Sequence, residues 1–104
     1  MLADNFGVAL SGISAMKGNL DSLGLLLSRG KVDINAVGQT GNTLLCWAAM
    51  FGKLDVVKYL LAQGADTTLR NKNGMSALDL AYAGGHFDLA TALRDASAAK
   101  TSTK

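Results

Sequence analysis

The sequence predicts an all-α solenoid, a stack of antiparallel helix pairs joined by β-turn loops, and three observations lead to it. The first is a period. Residues 41–57, GNTLLCWAAMFGKLDVV, and 74–90, GMSALDLAYAGGHFDLA, align Gly41 with Gly74, Leu45 with Leu78, Ala48 with Ala81, Gly52 with Gly85 and Asp55 with Asp88, each pair 33 apart. The second is a fainter copy at 7–23, GVALSGISAMKGNLDSL, displaced by 34, in which Gly18, Leu20 and Asp21 precede Gly52, Leu54 and Asp55. Its extra residue falls where Lys31-Val32 replaces the single Ala65 between Gly64 and Asp66. The third is that apolar residues inside each copy recur at helical spacing and end at glycine. Units of this length cannot bury an apolar face alone and do so by stacking.

In the first unit Leu2, Phe6, Leu10 and Ile13 have helical spacing. Gly7 and Gly12 each weaken that helix by about 1 kcal/mol relative to alanine, and its start is expected near Ala3 or Asp4. Leu20, Leu23, Leu26 and Leu27 then form a second stripe that stops at Gly30. In the middle unit Gly41-Asn42 belongs to a turn, and Thr43 caps a helix from Leu44 to about Phe51. Gly52 breaks the chain, since it has no Cβ to oppose a left-handed conformation. A second helix follows from about Leu54 to Ala62, with Leu54, Val57, Leu60 and Leu61 as its stripe and Asp55 favourably placed at the positive end of its dipole. Gly64 ends it, and 65–73 returns through a turn. In the third unit Ser76 is the cap, Gly84-Gly85 the break, and Phe87, Ala90 and Leu93 the stripe.

These residues carry a resemblance. A Gly-x-Thr turn, an L-x-x-A-A helix, a Gly-Lys/His-Leu/Phe-Asp corner, a V-V-K-Y-L-L helix and a G-A-D loop make the chain similar to ankyrin repeats. Residues 41–66 match closely, 74–93 well, and 4–35 in degenerate form. The resemblance implies an ankyrin-repeat solenoid in one domain over 1–96, with units at about 4–37, 38–70 and 71–96. Residues 97–104, SAAKTSTK, are expected to be a disordered tail. The family's T-P-L-H becomes Thr43-Leu44-Leu45-Cys46 and Ser76-Ala77-Leu78-Asp79, so the helix-starting proline and the turn-bonding histidine are both missing. Both outer units read as caps: Thr91 and Arg94 stand where the middle unit has Lys58 and Leu61, and Ser11 and Gly12 replace Leu45 and Cys46.

Composition narrows the function. The 104 residues suit one domain, and 49% hydrophobic content suits a packed core. The formal charge of +2 arises from Lys100 and Lys104; through residue 96 eight basic side chains balance eight acidic ones. No basic stripe exists to neutralise a row of phosphates, which disfavours nucleic acid. No apolar run reaches the roughly 18 residues of a membrane span, and the opening residues, with Asp4 and Asn5, lack the basic-then-apolar order expected of a signal peptide. A single cysteine forms no internal disulfide, so an intracellular, reducing location is expected, the cytoplasm before the nucleus.

Chemistry finds little support. Cys46 lies in a first helical turn, at the positive end of the helix dipole, but the single histidine, His86, falls on a different element. A nucleophile needs a base within bonding reach. One cysteine and one histidine do not make a structural zinc site. Asp33 and Asp66 read as loop residues bonding backbone N–H groups, and the glycines punctuate helix pairs rather than cradle phosphate. No enzyme activity, cofactor or metal is expected.

Ankyrin-type resemblance implies a non-enzymatic module that binds another protein through a concave face of turn tips and inner helices. On that pattern the expected partner-binding residues are Val37, Gln39, Thr40 and Asn42, then Arg70, Lys72, Asn73 and Met75 at the turns. Met16-Lys17 and Met50-Phe51 join them from the helices, with Met16, Met50 and Ala83 in a row. The expected anchor is Met50-Phe51, flanked by Arg70 and Lys72. Phe51 has a second reading, as a ring packed against the next inner helix near Tyr82, and Trp47 reads as structural. The alternative function is a self-associating structural unit, a weak homo-oligomer.

Overall fold

The computed structural model describes the backbone of residues 2–30, 32–38 and 41–102, and the side chains of 9–30, 32–38 and 41–96. Those residues form six helices: α1 (Leu2–Lys17), α2 (Leu20–Ser28), α3 (Leu44–Met50), α4 (Leu54–Ala62), α5 (Ala77–Ala83) and α6 (Phe87–Ser102). They pair as α1–α2, α3–α4 and α5–α6. The first helices pack side by side in the order α1, α3, α5, and α4 packs on α6. This is the stack of helix pairs that the 33-residue period predicts. No described helix is long and apolar enough to cross a membrane.

Each pair turns at a glycine with positive φ: Gly18 at 75°, Gly52 at 69° and Gly85 at 76°. One residue further on, an N–H reaches back into the preceding helix: Asn19 to the Ser14 carbonyl, Lys53 to Ala48 and His86 to Ala81, each at 2.9 Å. These bonds satisfy carbonyls that a helix end leaves open. At the other ends, the Thr43 hydroxyl accepts the Cys46 N–H at 3.1 Å. The Ser76 hydroxyl accepts the Asp79 N–H at 3.3 Å, while Asp79 accepts the Ser76 N–H at 3.0 Å. Asp79 stands where the family has its histidine, and through this reciprocal cap it supplies a turn-to-helix tie of its own.

The core runs through all three pairs, from Ala15 and Leu23 through Leu44, Leu45, Cys46, Ala48, Val56, Val57 and Leu60 to Leu80, Leu89 and Leu93. The stripes differ in detail from the sequence expectation. Val56 is fully buried, whereas Leu54 and Leu61 are half-buried and Leu20 and Phe87 are exposed. A second helix covers its own partner and also meets a neighbouring pair, so its buried face is wider than one narrow stripe. Phe87, at the start of the last described helix, is 63% exposed.

Gly12, expected to weaken its helix, has a packing reason, and so has Gly24 on α2. A Cβ on Gly12 would lie 3.4 Å from the Trp47 indole nitrogen, and one on Gly24 would lie 3.5 Å from the Tyr59 hydroxyl. The middle unit's large aromatics therefore rest on the first unit's smallest residues. This corrects the reading of the opening unit as a cap, because Ser11 and Gly12 are buried and face inward. At the far end the helix of the last pair continues past residue 96 to Ser102, where a disordered tail was expected. The Ser-Ala-Ala-Lys-Thr-Ser sequence contains no glycine or proline to stop it. Residues 103 and 104 lie outside the described residues.

Candidate functional site

The turns between units stack on one another and define the rim of the first-helix face. Gly41 donates to the Gly38 carbonyl at 3.0 Å in one turn, and Gly74 to the Asn71 carbonyl at 2.9 Å in the next. The Asn71 side chain organises the second turn by accepting the N–H of Asn73 at 2.9 Å and of Met75 at 3.0 Å. Its amide also donates to Asn42 Oδ1 at 2.8 Å, tying the two turns together. They approach so closely that a Cβ on Gly41 would lie 2.8 Å from the Lys72 backbone nitrogen. Deeper in the loops, Asp33 accepts the Asn35 N–H and Asp66 the Thr68 N–H, both at 2.8 Å, and Asn35 Oδ1 accepts the Asp66 N–H at 2.9 Å. The loop carboxylates thus hold backbone, as their sequence setting predicts.

Arg70 projects from this rim and donates through Nη1 to the Gly74 carbonyl at 2.9 Å and to Asp79 Oδ2 at 3.3 Å. The Ser76 N–H, before any other group, holds the Asp79 carboxyl below its ordinary pKa; burial, the next largest effect, opposes it, and the Ser76 hydroxyl and Arg70 add smaller lowering contributions. Val37, Lys72 and Asn73 are exposed beside it, and Met75 is half-buried against the core. Asn42 is corrected: it is buried and bonded to Asn71, so it builds the rim rather than facing outward. Gln39 and Thr40 lie outside the described residues.

A second cluster lies at the opposite end of α3. Phe51 is the C-cap of that helix and remains 46% exposed, its ring 6.3 Å from that of Trp47 and tilted by 40°. Trp47 is half-buried on Gly12, so it supports Phe51 from below. Lys17 holds the equivalent position in the first unit and is exposed, while Met16 and Met50 are half-buried. The expected neighbourhood of Phe51 with Arg70 and Lys72 is not formed. The helix between them spans about 10 Å, and the turn tips sit at its start while Phe51 sits at its end. Nor does Phe51 pair with Tyr82, whose ring lies 6.2 Å from Phe87 and whose hydroxyl accepts Arg94 Nη1 at 3.2 Å. Tyr82 and Arg94 finish the C-terminal end of the stack, and sequence reasoning saw only Arg94. The signal for Tyr82 was its alignment with the buried Ala49, since an aromatic cannot replace a packed alanine inside a stack.

The geometry gives no foothold to nucleophilic chemistry at Cys46. That residue is 1% exposed inside the core, closed to a substrate. His86 is wedged at the corner between Gly52 and Gly84, where Cβ atoms on those glycines would approach its ring to 2.6 and 2.8 Å. Shallow grooves of about 290 and 360 Å³ run between successive corners, lined in one case by Lys17, Gly18 and Lys53 and in the other by Gly85, His86 and Phe87. Both are open furrows between repeats.

Comparison with known proteins agrees with this architecture. A family model described as ankyrin repeats (3 copies) matches residues 12–104. The Notch-regulated ankyrin repeat-containing protein B of Danio rerio is 41% identical over 76 residues, covering 70% of this chain and 68% of that protein. Its Homo sapiens counterpart is 40% identical over 76 residues. The DNA-binding protein RFXANK of Homo sapiens is 41% identical over 71 residues, and there the chain spans only 27% of the relative's length. Among solved structures, a chain from the complex of a predatory endopeptidase of Bdellovibrio bacteriovorus with an immunity protein superposes with a TM-score of 0.80 at 37% identity. The match covers 84% of this chain and 45% of that one.

Proposed function

The chain belongs to the ankyrin-repeat family, and from that premise we propose that it is a non-enzymatic module that binds another protein through the face of α1, α3 and α5 and their turn tips. The observation that carries the reading is Phe51, an aromatic ring left 46% exposed on a rigid helix end and backed by Trp47. Rigid aromatics lose little entropy on binding and dominate protein interfaces. Met16 and Met50 supply adaptable surface beside it. Arg70, Lys72 and Asn73, with the apolar Val37, form the separate rim some 10 Å away, a helix length. Two clusters at that separation suit an extended partner segment or a broad surface rather than a small ligand. The similar solved chain comes from a protein complex, which supports the class of partner and leaves its identity to experiment. The proposed setting is the cell interior, in keeping with a free, buried Cys46.

A photo-crosslinking amino acid placed at position 51, and separately at the exposed convex position 28, tests the reading in extract of the source cells. Crosslinked protein is expected from position 51 and not from 28. Equal yields from the two positions would remove the proposed face.

A further inference from the structure

The turn tip of the third unit carries a reactive pair. Asn73 is the one asparagine in the sequence followed by glycine. The carbonyl carbon of an asparagine side chain, Cγ, is open to attack by the backbone nitrogen of the next residue, and a glycine there has no Cβ to obstruct the approach. The structure adds a second condition, a side chain at liberty to react. Asn19 Oδ1 accepts the Ser22 N–H at 3.2 Å, Asn35 Oδ1 accepts the Asp66 N–H at 2.9 Å, and the Asn71 amide donates to Asn42 Oδ1 at 2.8 Å. The Asn73 side chain is exposed and holds no bond among the described residues. Nothing lies within 4 Å of the place that a Cβ on Gly74 would take, so water reaches the pair.

We infer that Asn73–Gly74 is a self-modifying site that turns an amide of the rim into a carboxylate, at a rate gated by the Asn71 turn. The Gly74 nitrogen loses its proton to water and bonds to Asn73 Cγ. The Cγ–Nδ2 bond breaks, Nδ2 takes up a proton and leaves as ammonia, and a cyclic imide remains. Water then adds to either imide carbonyl and opens the ring to aspartate or isoaspartate, with no oxidant, reductant or cofactor. The folded turn opposes the first step. The Gly74 N–H that must be given up is held by the Asn71 carbonyl at 2.9 Å, and the Asn73 N–H is held by Asn71 Oδ1 at 2.9 Å. Reaction therefore proceeds from a locally opened turn, a motion that leaves the rest of the stack folded. The product changes the rim. Beside Asn73 stand Lys72 and Arg70, the latter already bonded to Asp79, and a carboxylate at position 73 offsets the Lys72 charge. The conversion needs no partner and stands apart from the binding reading; only its effect on a partner rests on that reading.

The test holds the purified full-length chain at neutral pH, native or unfolded in guanidinium chloride, and digests samples at intervals. Mass spectrometry locates each gain in mass and separates aspartate from isoaspartate. In both states the first gain is expected in the peptide that contains Asn73, with the native chain slower by about ten- to a hundredfold, the reach of two hydrogen bonds. Asn71→Ala should speed the native conversion about tenfold or more. Val56→Ala, a change in the core at the far end of the repeat that circular dichroism shows to be folded, should leave the rate within about threefold, because the turn opens without global unfolding. A first gain at another asparagine, or a native chain whose Asn73 stays intact beyond that window, overturns the site. An Asn71→Ala rate equal to the wild type, or a Val56→Ala rate raised as much as that of Asn71→Ala, overturns the gate.

Discussion

The corner between α3 and α4 offers the sharpest test of how the repeats lock together. Gly52 meets two constraints at once: its φ is +69°, and a Cβ there would lie 2.6 Å from His86 Cε1 and 2.7 Å from Nδ1. An L-residue in the left-handed region costs about 1–2 kcal/mol. Forcing a methyl group into an imidazole ring adds about 1–3 kcal/mol of overpacking. Gly52→Ala is therefore expected to destabilise by about 2–5 kcal/mol in all, a large part of the 5–15 kcal/mol available to a typical domain. His86→Ala removes the obstacle and leaves the backbone constraint, so in that background Gly52→Ala should cost only about 1–2 kcal/mol. Urea unfolding of the four proteins, followed by far-ultraviolet circular dichroism, yields the coupling energy, expected at about 1–3 kcal/mol. Additive effects, agreeing within about 0.5 kcal/mol, would refute the claim that His86 of the third unit fills the corner of the second.

Other outcomes follow from the same contacts. Asn71→Ala removes the turn-organising bonds and the tie to Asn42, and should lower stability by about 1–3 kcal/mol, read by urea unfolding. Phe51→Ala should change stability by less than about 1 kcal/mol, because the ring is largely exposed and its main neighbour is Trp47; its loss should show in partner crosslinking. Asp79 is held below its ordinary pKa in the folded state. Its contribution is therefore complete above the unfolded value and lost as pH falls through the lower folded value, so thermal stability should drop below about pH 4, with Asp79→Asn showing a shallower drop.

Much of this protein was legible from its residues in order. A repeated pattern reports local physics: Thr43 and Ser76 cap helices because their hydroxyls reach an N–H three residues on, and Gly18, Gly52 and Gly85 turn the chain because glycine has no Cβ to oppose positive φ. Both causes act within a few residues, so the sequence determined the six helices, their pairing and the family. The proposed partner-binding face was only partly legible. Phe51 is exposed as its position implies, but Asn42 turned inward to Asn71, 29 residues away, and the rim stands a helix length from Phe51. Tertiary structure alone decided which small residues were seats for large ones and which apolar residues stayed exposed. Gly12 looks like a helix defect until Trp47 lies on it, and Leu10 and Ile13 look like core but are 39% and 46% exposed. Burial depends on what arrives from another unit, and that is set by packing across the stack rather than by any residue's own neighbours in the chain.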